Sequence, residues 1–151
     1  MQKRETWQKI HTLFGYVQIS NLHGKNEMSE NIKIACFLAN KLGHSIFLLA
    51  RSELEKTPDS KNATLGIFQE YKVNKTPTQS AINKQLRIAA KQADYIILWI
   101  DSKISLNILE RGVKGRVKLT KNVKEVWIIL NGEIKMFSRS QILENEFSIS
   151  K

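Results

Sequence analysis

Every residue of the run Tyr95-Ile96-Ile97-Leu98-Trp99-Ile100 is aliphatic or aromatic. A strand without polar alternation sits inside a sheet that is covered on both faces, so helices must pack on it. The preceding segment supplies one. Thr76 reads as its cap and Pro77 as its first residue, and Ile82, Leu86, Ala89, Ala90 and Ala93 recur at helical spacing. Lys84, Arg87 and Lys91 line its opposite side. After the strand, Ser105 to Lys118 reads as a second helix, with Leu109, Val113 and Val117 inward and Arg111, Lys114 and Lys118 outward. Asn131-Gly132 then joins strands 123 to 130 and 133 to 137 as a hairpin.

The first half is read the same way. Ser29 offers an N-cap for a helix from Glu30 to Leu42, with Ile32, Ala35, Leu38, Ala39 and Leu42 on its apolar face and Gly43 as its stop. The run from Ser45 to Ala50 predicts a buried strand, and further strands are expected near Asp59 and from Gly66 to Val73. Upstream, Thr6 to Phe14 predicts a short helix, Tyr16 to Ser20 a strand and Asn21 to Met28 a loop. The expectation is an α/β protein of one domain, a mixed central sheet flanked by helices, ending in a helix and β-hairpin; 151 residues suffice for such a core.

Charge narrows the partners. Twenty-four Lys and Arg against 14 Asp and Glu give a net charge of +10 and a pI near 9.8. Such a surface favours polyanions, above all nucleic acid, through counterion release. No apolar stretch is long enough to span a membrane, and the residues from Met1 to Glu5 lack a signal-type core, so a cytoplasmic protein is expected. The single cysteine, Cys36, excludes an intrachain disulfide and lies among apolar neighbours, as a buried inert thiol would. His11, His23 and His44 share no metal-ligand spacing, and no glycine loop of the nucleotide-binding kind is present.

The chemistry-bearing segment is Thr57-Pro58-Asp59 followed by Glu70-Tyr71-Lys72. Glu70 and Lys72 are two apart on a predicted strand, so both leave one face while Tyr71 leaves the other. Asp59 beside Glu70 would complete an all-oxygen site suited to Mg2+ or Mn2+. Metal-bound water, with Lys72 orienting it or neutralising the developing oxyanion, is phosphodiester-hydrolysis chemistry.

This spacing resembles the motif of PD-(D/E)xK nucleases, and the element order resembles their restriction-endonuclease-like core: a helix, a three-stranded meander, a helix and a further strand. Residues 30 to 137 further resemble C-terminal toxin domains of contact-dependent growth inhibition (CdiA-type) proteins, particularly those that cleave transfer RNA. The likeness lies in the first helix and strand through Leu48-Leu49, in Lys56 to Lys72, in Leu86-Arg87 through Lys91-Gln92-Ala93-Asp94, and in the strand Val123 to Ile129. It implies Asp59 and Glu70 as metal ligands, Lys72 as the catalytic lysine and Glu30 as an additional carboxylate from the first helix. It places Arg87, Lys91 and Gln92 on a helix bordering the active site; Lys84 and Lys114, on basic helix faces, are further candidates for nucleic-acid binding. Residues 29 to 140 would form the nuclease-like domain, 1 to 28 an extension packed on it and 141 to 151 a tail. The setting implied is a toxin or mobile-element protein that cleaves RNA ahead of DNA, is delivered into a target-cell cytoplasm, and is neutralised by an immunity protein with an acidic surface.

Two other functions fit the same residues. One is a metal-independent ribonuclease, similar to the barnase, EndoU, colicin and RelE grouping, with Glu70 as general base and Lys72, Arg87 or His44 on the phosphate. The other is a catalytically inactive basic module that binds nucleic acid or protein. In that module Trp7, Tyr16 or Trp127 would be stacking platforms, although each is expected to fill core.

Overall fold

A computed structural model describes residues 4–52 and 57–150. Residues 53–56 lie outside the described residues, and with them Lys56 of the toxin-like stretch. The chain divides into two units, residues 1–69 and 70–151. Among the described residues the strands hydrogen-bond in chain order in one mixed sheet, and helices connect or follow them, so the fold is α/β.

In the first unit, Trp7–His11 (β1) pairs antiparallel with Tyr16–Ser20 (β2). The helix expected over Thr6 to Phe14 is therefore a strand and a turn. Trp7, Ile10 and Phe14 fit a helical period, but pairing with β2 decides the outcome, as tertiary context commonly does. The turn is locked by Thr12, whose hydroxyl donates to the Gly15 carbonyl at 2.8 Å and accepts from the Gly15 amide at 3.0 Å.

Met28–Leu42 (α1) then crosses to Ser45–Leu48 (β3), which lies parallel to β2. Ile34, Ala35, Leu38 and Ala39 bury one face of α1, while Val17, Ile19, Ile46 and Leu48 form the buried face of β2 and β3 on which α1 packs. The expected cap, Ser29, is already inside the helix. Glu27 holds the N-cap position without a capping hydrogen bond; its carboxylate instead accepts from Arg51 Nη1 at 2.7 Å. Ser60–Asn62 (β4) and Ile67–Asn74 (β5) complete an antiparallel meander with β3, in the register Leu48–Ser60 and Ser60–Gln69.

The second unit begins on β5 at Glu70. Gln79–Ala89 (α2) is capped by Thr78, whose hydroxyl accepts from the Ala81 amide at 3.2 Å, two residues later than the Thr76 cap expected from sequence. Tyr95–Ile100 (β6) follows, then Leu106–Leu119 (α3), capped by Ser105. The Asp101 amide, just past β6, donates to the carbonyl of Asn74, the last residue of β5, at 2.8 Å. The C-terminal ends of both strands thus lie together, as in a β-α-β unit. Glu125–Leu130 (β7) runs parallel to β6, and Glu133–Ser138 (β8) returns antiparallel. Asn131 and Gly132 have φ of 52° and 76°, the left-handed pair of a type I′ hairpin turn. A short helix, Arg139–Ile142 (α4), follows. One core joins Ile82, Leu86 and Ala89 of α2, alternate residues of β6 and β7, and Leu109, Val113 and Val117 of α3. The opposite-facing Ile97, Trp127 and Ile129 are buried as well, as the apolar character of the β6 run requires.

Gly15 offers a test of the first unit's packing. A Cβ there would lie 2.2 Å from the His44 carbonyl oxygen and 2.9 Å from that of Ala39, both backbone atoms that cannot swing aside. Gly15→Ala should lower stability by about 1–3 kcal/mol or more. Chemical denaturation measures this, and a wild-type midpoint would show that the turn does not press on α1 and β3 as described.

Candidate functional site

The site is built on β5. Side chains alternate across a strand, so Glu70 and Lys72 share a face and Tyr71 takes the other. Gln69, Glu70 and Tyr71 are all buried. The Glu70 carboxylate, with 8% of its side chain exposed, lies 3.9 Å from the Lys72 ammonium, whose side chain is 26% exposed. A buried carboxylate is costly unless charge or hydrogen bonds compensate it, and the half-open ammonium supplies charge of the required sign.

Asp59, in the first unit, is also buried and immediately precedes β4. Its backbone carbonyl accepts from the Leu49 amide at 3.0 Å, which fixes the strand entry. Along the β4–β5 ladder, Ser60 and Gln69 form a register pair; Asp59 is the residue before Ser60 and Glu70 the residue after Gln69. Glu30 stands half-buried in the first turn of α1, where a carboxylate also complements the helix dipole. Among the described residues no three His, Cys, Asp or Glu side chains gather as a metal cluster.

Sequence reasoning missed the polar interior of the first unit. Leu49 O can only accept, so His23 carries its proton on Nδ1, 2.6 Å away, and its Nε2 accepts from Asn31 Nδ2 at 2.9 Å. Asn62 Nδ2 donates to His44 Nδ1 at 2.9 Å, while Asn62 Oδ1 accepts from the Leu65 amide at 3.1 Å. Ser60 Oγ donates to the Gln69 carbonyl at 3.1 Å, yet the buried amide of the Gln69 side chain has no hydrogen-bond partner. The one sequence signal was a set of polar residues at inward positions of strands. Cys36 is half-buried, and burial pushes its thiol pKa up, as expected for an inert side chain.

The basic residues separate into two kinds. Lys84, Arg87 and Lys91 are exposed, and Lys84 and Arg87 line an open groove of about 580 Å³ with Gln79, Ser80 and Asn83. Gln92 is half-buried, with its Oε1 enclosed. Lys114 is engaged within the fold, its ammonium donating to the Glu144 carbonyl at 2.6 Å. His44 is likewise inside, held by Asn62.

Comparison with known proteins finds no matching family model and no matching curated protein. Among solved structures, a chain of the CdiA-CT/CdiI toxin and immunity complex from Burkholderia pseudomallei matches with a TM-score of 0.56 and 18% identity, covering 75% of this chain and 85% of that one. The likeness is one of fold. No helix among the described residues is long and apolar enough to cross a membrane.

Burial lowers the His44 pKa below its ordinary value, and Asn62 already donates to its Nδ1. Folding therefore disfavours protonation. The contribution of this site to stability is complete above the unfolded pKa, about 6.5, and is lost as pH falls from there toward the folded value. His44→Gln should flatten that part of the stability profile. Denaturation midpoints taken from about pH 7.5 to about pH 5 check this; an unchanged slope in the variant would assign the pH dependence to other groups.

Proposed function

We propose that this chain is a toxin-type nuclease of the PD-(D/E)xK kind, hydrolysing phosphodiester bonds in nucleic acid, with RNA, and transfer RNA in particular, ahead of DNA. The observation that carries the reading is the buried Glu70 carboxylate on the same face of β5 as the Lys72 ammonium, 3.9 Å away. Support comes from the antiparallel β3–β4–β5 meander between α1 and α2, the arrangement expected of such a core. The net charge of +10 suits a polyanionic substrate. The fold likeness to a chain of a toxin and immunity complex adds the biological setting.

In this reading Asp59 and Glu70 hold Mg2+ or Mn2+, with Glu30 as an additional carboxylate. Two buried carboxylates fit a hard cation, because Mg2+ is commonly held by one or two carboxylates and completes its shell with water and substrate phosphate. When bound, the ion lowers the pKa of a coordinated water and offsets charge on the phosphate. Lys72 orients the attacking water and stabilises the negative charge that develops as the P–O bond breaks. Lys84 and Arg87 on α2, with Lys91 and Gln92 in the turn that follows it instead of on the helix expected from sequence, carry the nucleic-acid backbone. The protein acts in the cytoplasm of a target cell. Its immunity partner presents an acidic surface, complementary to the basic charge described above.

Asp59→Ala or Glu70→Ala should reduce cleavage below detection. Lys72→Ala should lower turnover by about 10²–10³ with little change in affinity. The assay incubates transfer RNA, and separately plasmid DNA, with magnesium, manganese or excess EDTA. Full turnover by both carboxylate variants would refute the assignment, and RNA cleavage that persists in EDTA would replace it with acid–base ribonuclease chemistry.

A further inference from the structure

The first unit's sheet has a face opposite α1, and the strand register identifies its residues. Val17 pairs with Ile46 and Ile46 with Asn62, all buried on the helix side. The alternate residues point the other way. Across five strands they form the row Lys9, Gln18, Phe47, Lys61 and Phe68. Beside it lie Trp7 paired with Ser20, and His11, Tyr16 and Ser45 in register.

Trp7 and Phe68 are 41% and 50% exposed. The expectation that Trp7 fills core is therefore corrected, whereas Trp127 does fill it. Trp7 packs edge-on against Phe47 at 5.7 Å between ring centroids, and Tyr16 packs on Phe47 at 6.2 Å. Phe47 thus braces both neighbours and leaves their rings presented to solvent at the sheet surface. Cations are interleaved: Lys9 Nζ lies 4.2 Å from the Tyr16 ring and Lys61 Nζ 5.7 Å from the Phe68 ring. No residue of β1 to β4 on this face is acidic, and on β5 Glu70, two residues after Phe68, shares its parity. Glu5 stands at the edge, before β1, where it accepts from Ser20 Oγ at 2.8 Å. Asp59, two residues before Lys61, shares the parity of that residue.

We propose that this aromatic and basic sheet face binds single-stranded nucleic acid, stacking bases on Trp7 and Phe68 while Lys9 and Lys61 meet the phosphates. Every base offers a flat ring, and an extended strand can splay its bases onto a sheet, whereas a duplex keeps them stacked inside. The mixture of exposed rings with ammonium groups suits such a strand better than an acidic protein surface, which would match the lysines and leave the rings unused. The proposal deepens the nucleic-acid reading above by naming the form of substrate. It does not depend on cleavage.

The test is fluorescence anisotropy in EDTA, where binding is measured without metal-dependent turnover. Its probes are labelled oligouridylate and oligodeoxythymidylate of about 12 nucleotides, within the range one small sheet accommodates, and a duplex of equal length. Single strands should bind more tightly than duplex. Trp7→Ala and Phe68→Ala should each weaken single-strand binding by about 5- to 100-fold, and Trp7→Phe should retain most of it. Lys61→Ala should reduce the slope of log affinity against log salt by about one. Both aromatic residues lie at the surface, 41% and 50% exposed, and circular dichroism verifies that the variants fold. Unchanged single-strand affinity in both alanine variants would give the face to a protein partner and overturn the proposal, as would equal binding of duplex. Metal-dependent cleavage with wild-type affinity in Trp7→Ala would sink the platform and keep the nuclease. Strand binding lost in Trp7→Ala, without cleavage by the wild type, would do the reverse.

Discussion

Strand β5 buries an amide, a carboxylate and a phenol in succession, at Gln69, Glu70 and Tyr71. Apolar side chains in these places would stabilise a sheet interior at no desolvation cost, whereas each buried polar group left without compensation costs about 1–3 kcal/mol. The cost is tolerated because the surrounding sheet fixes the strand. Its beginning is registered against β4, and its end is tied through the Asn74 carbonyl to the Asp101 amide. The Gln69 side chain shows how far this goes, since its amide is enclosed without a hydrogen bond. Consecutive buried polar side chains break the local rules for a stable strand, and β5 does so at three positions in a row.

The same strand explains what could be read from sequence. Glu70 and Lys72 were recognisable as a same-face pair because a period of two needs only local information, and the ion pair confirms that geometry. The β6 run and the Asn131-Gly132 turn were equally local and appear as expected. Trp7 to His11 was not: its apolar spacing fits a helix, and only β2, joined through a four-residue turn, makes it a strand. The caps lie two residues from the expected Ser29 and Thr76, at Glu27 and Thr78, and Glu27 gives its carboxylate to Arg51 instead of to the helix amides. His23 and Asn31 meet only because β2, α1 and β3 fold together, so their hydrogen bond had no sequence signature. Lys114 looked like an outward helix charge, and the contact that engages it comes from Glu144 at the far end of the chain.

The placement of potential ligands also bears on the chemistry. The ring nitrogens of His23 and one of His44 are occupied by internal hydrogen bonds, and the Cys36 thiol is held protonated by burial. The nitrogen and sulfur donors that select zinc are thus dispersed or engaged. Asp59 and Glu70 are each buried oxygen donors, the ligand type that hard cations prefer.

The exposed cations differ in what accompanies them. Along α2, Lys84 and Arg87 share a groove with Gln79, Ser80 and Asn83, a stripe that offers charge to phosphate but no ring to a base. On the sheet face of the first unit, Lys9 and Lys61 lie over aromatic rings, and rings interact with bases only when those bases are unstacked. On the proposed reading, charge on the helix would raise the local concentration of any nucleic acid, whereas the rings would discriminate among its conformations. In the proposed reading it is therefore the ring-bearing face alone that would tell an open strand from a duplex, because only unstacked bases can lie flat on a side-chain ring.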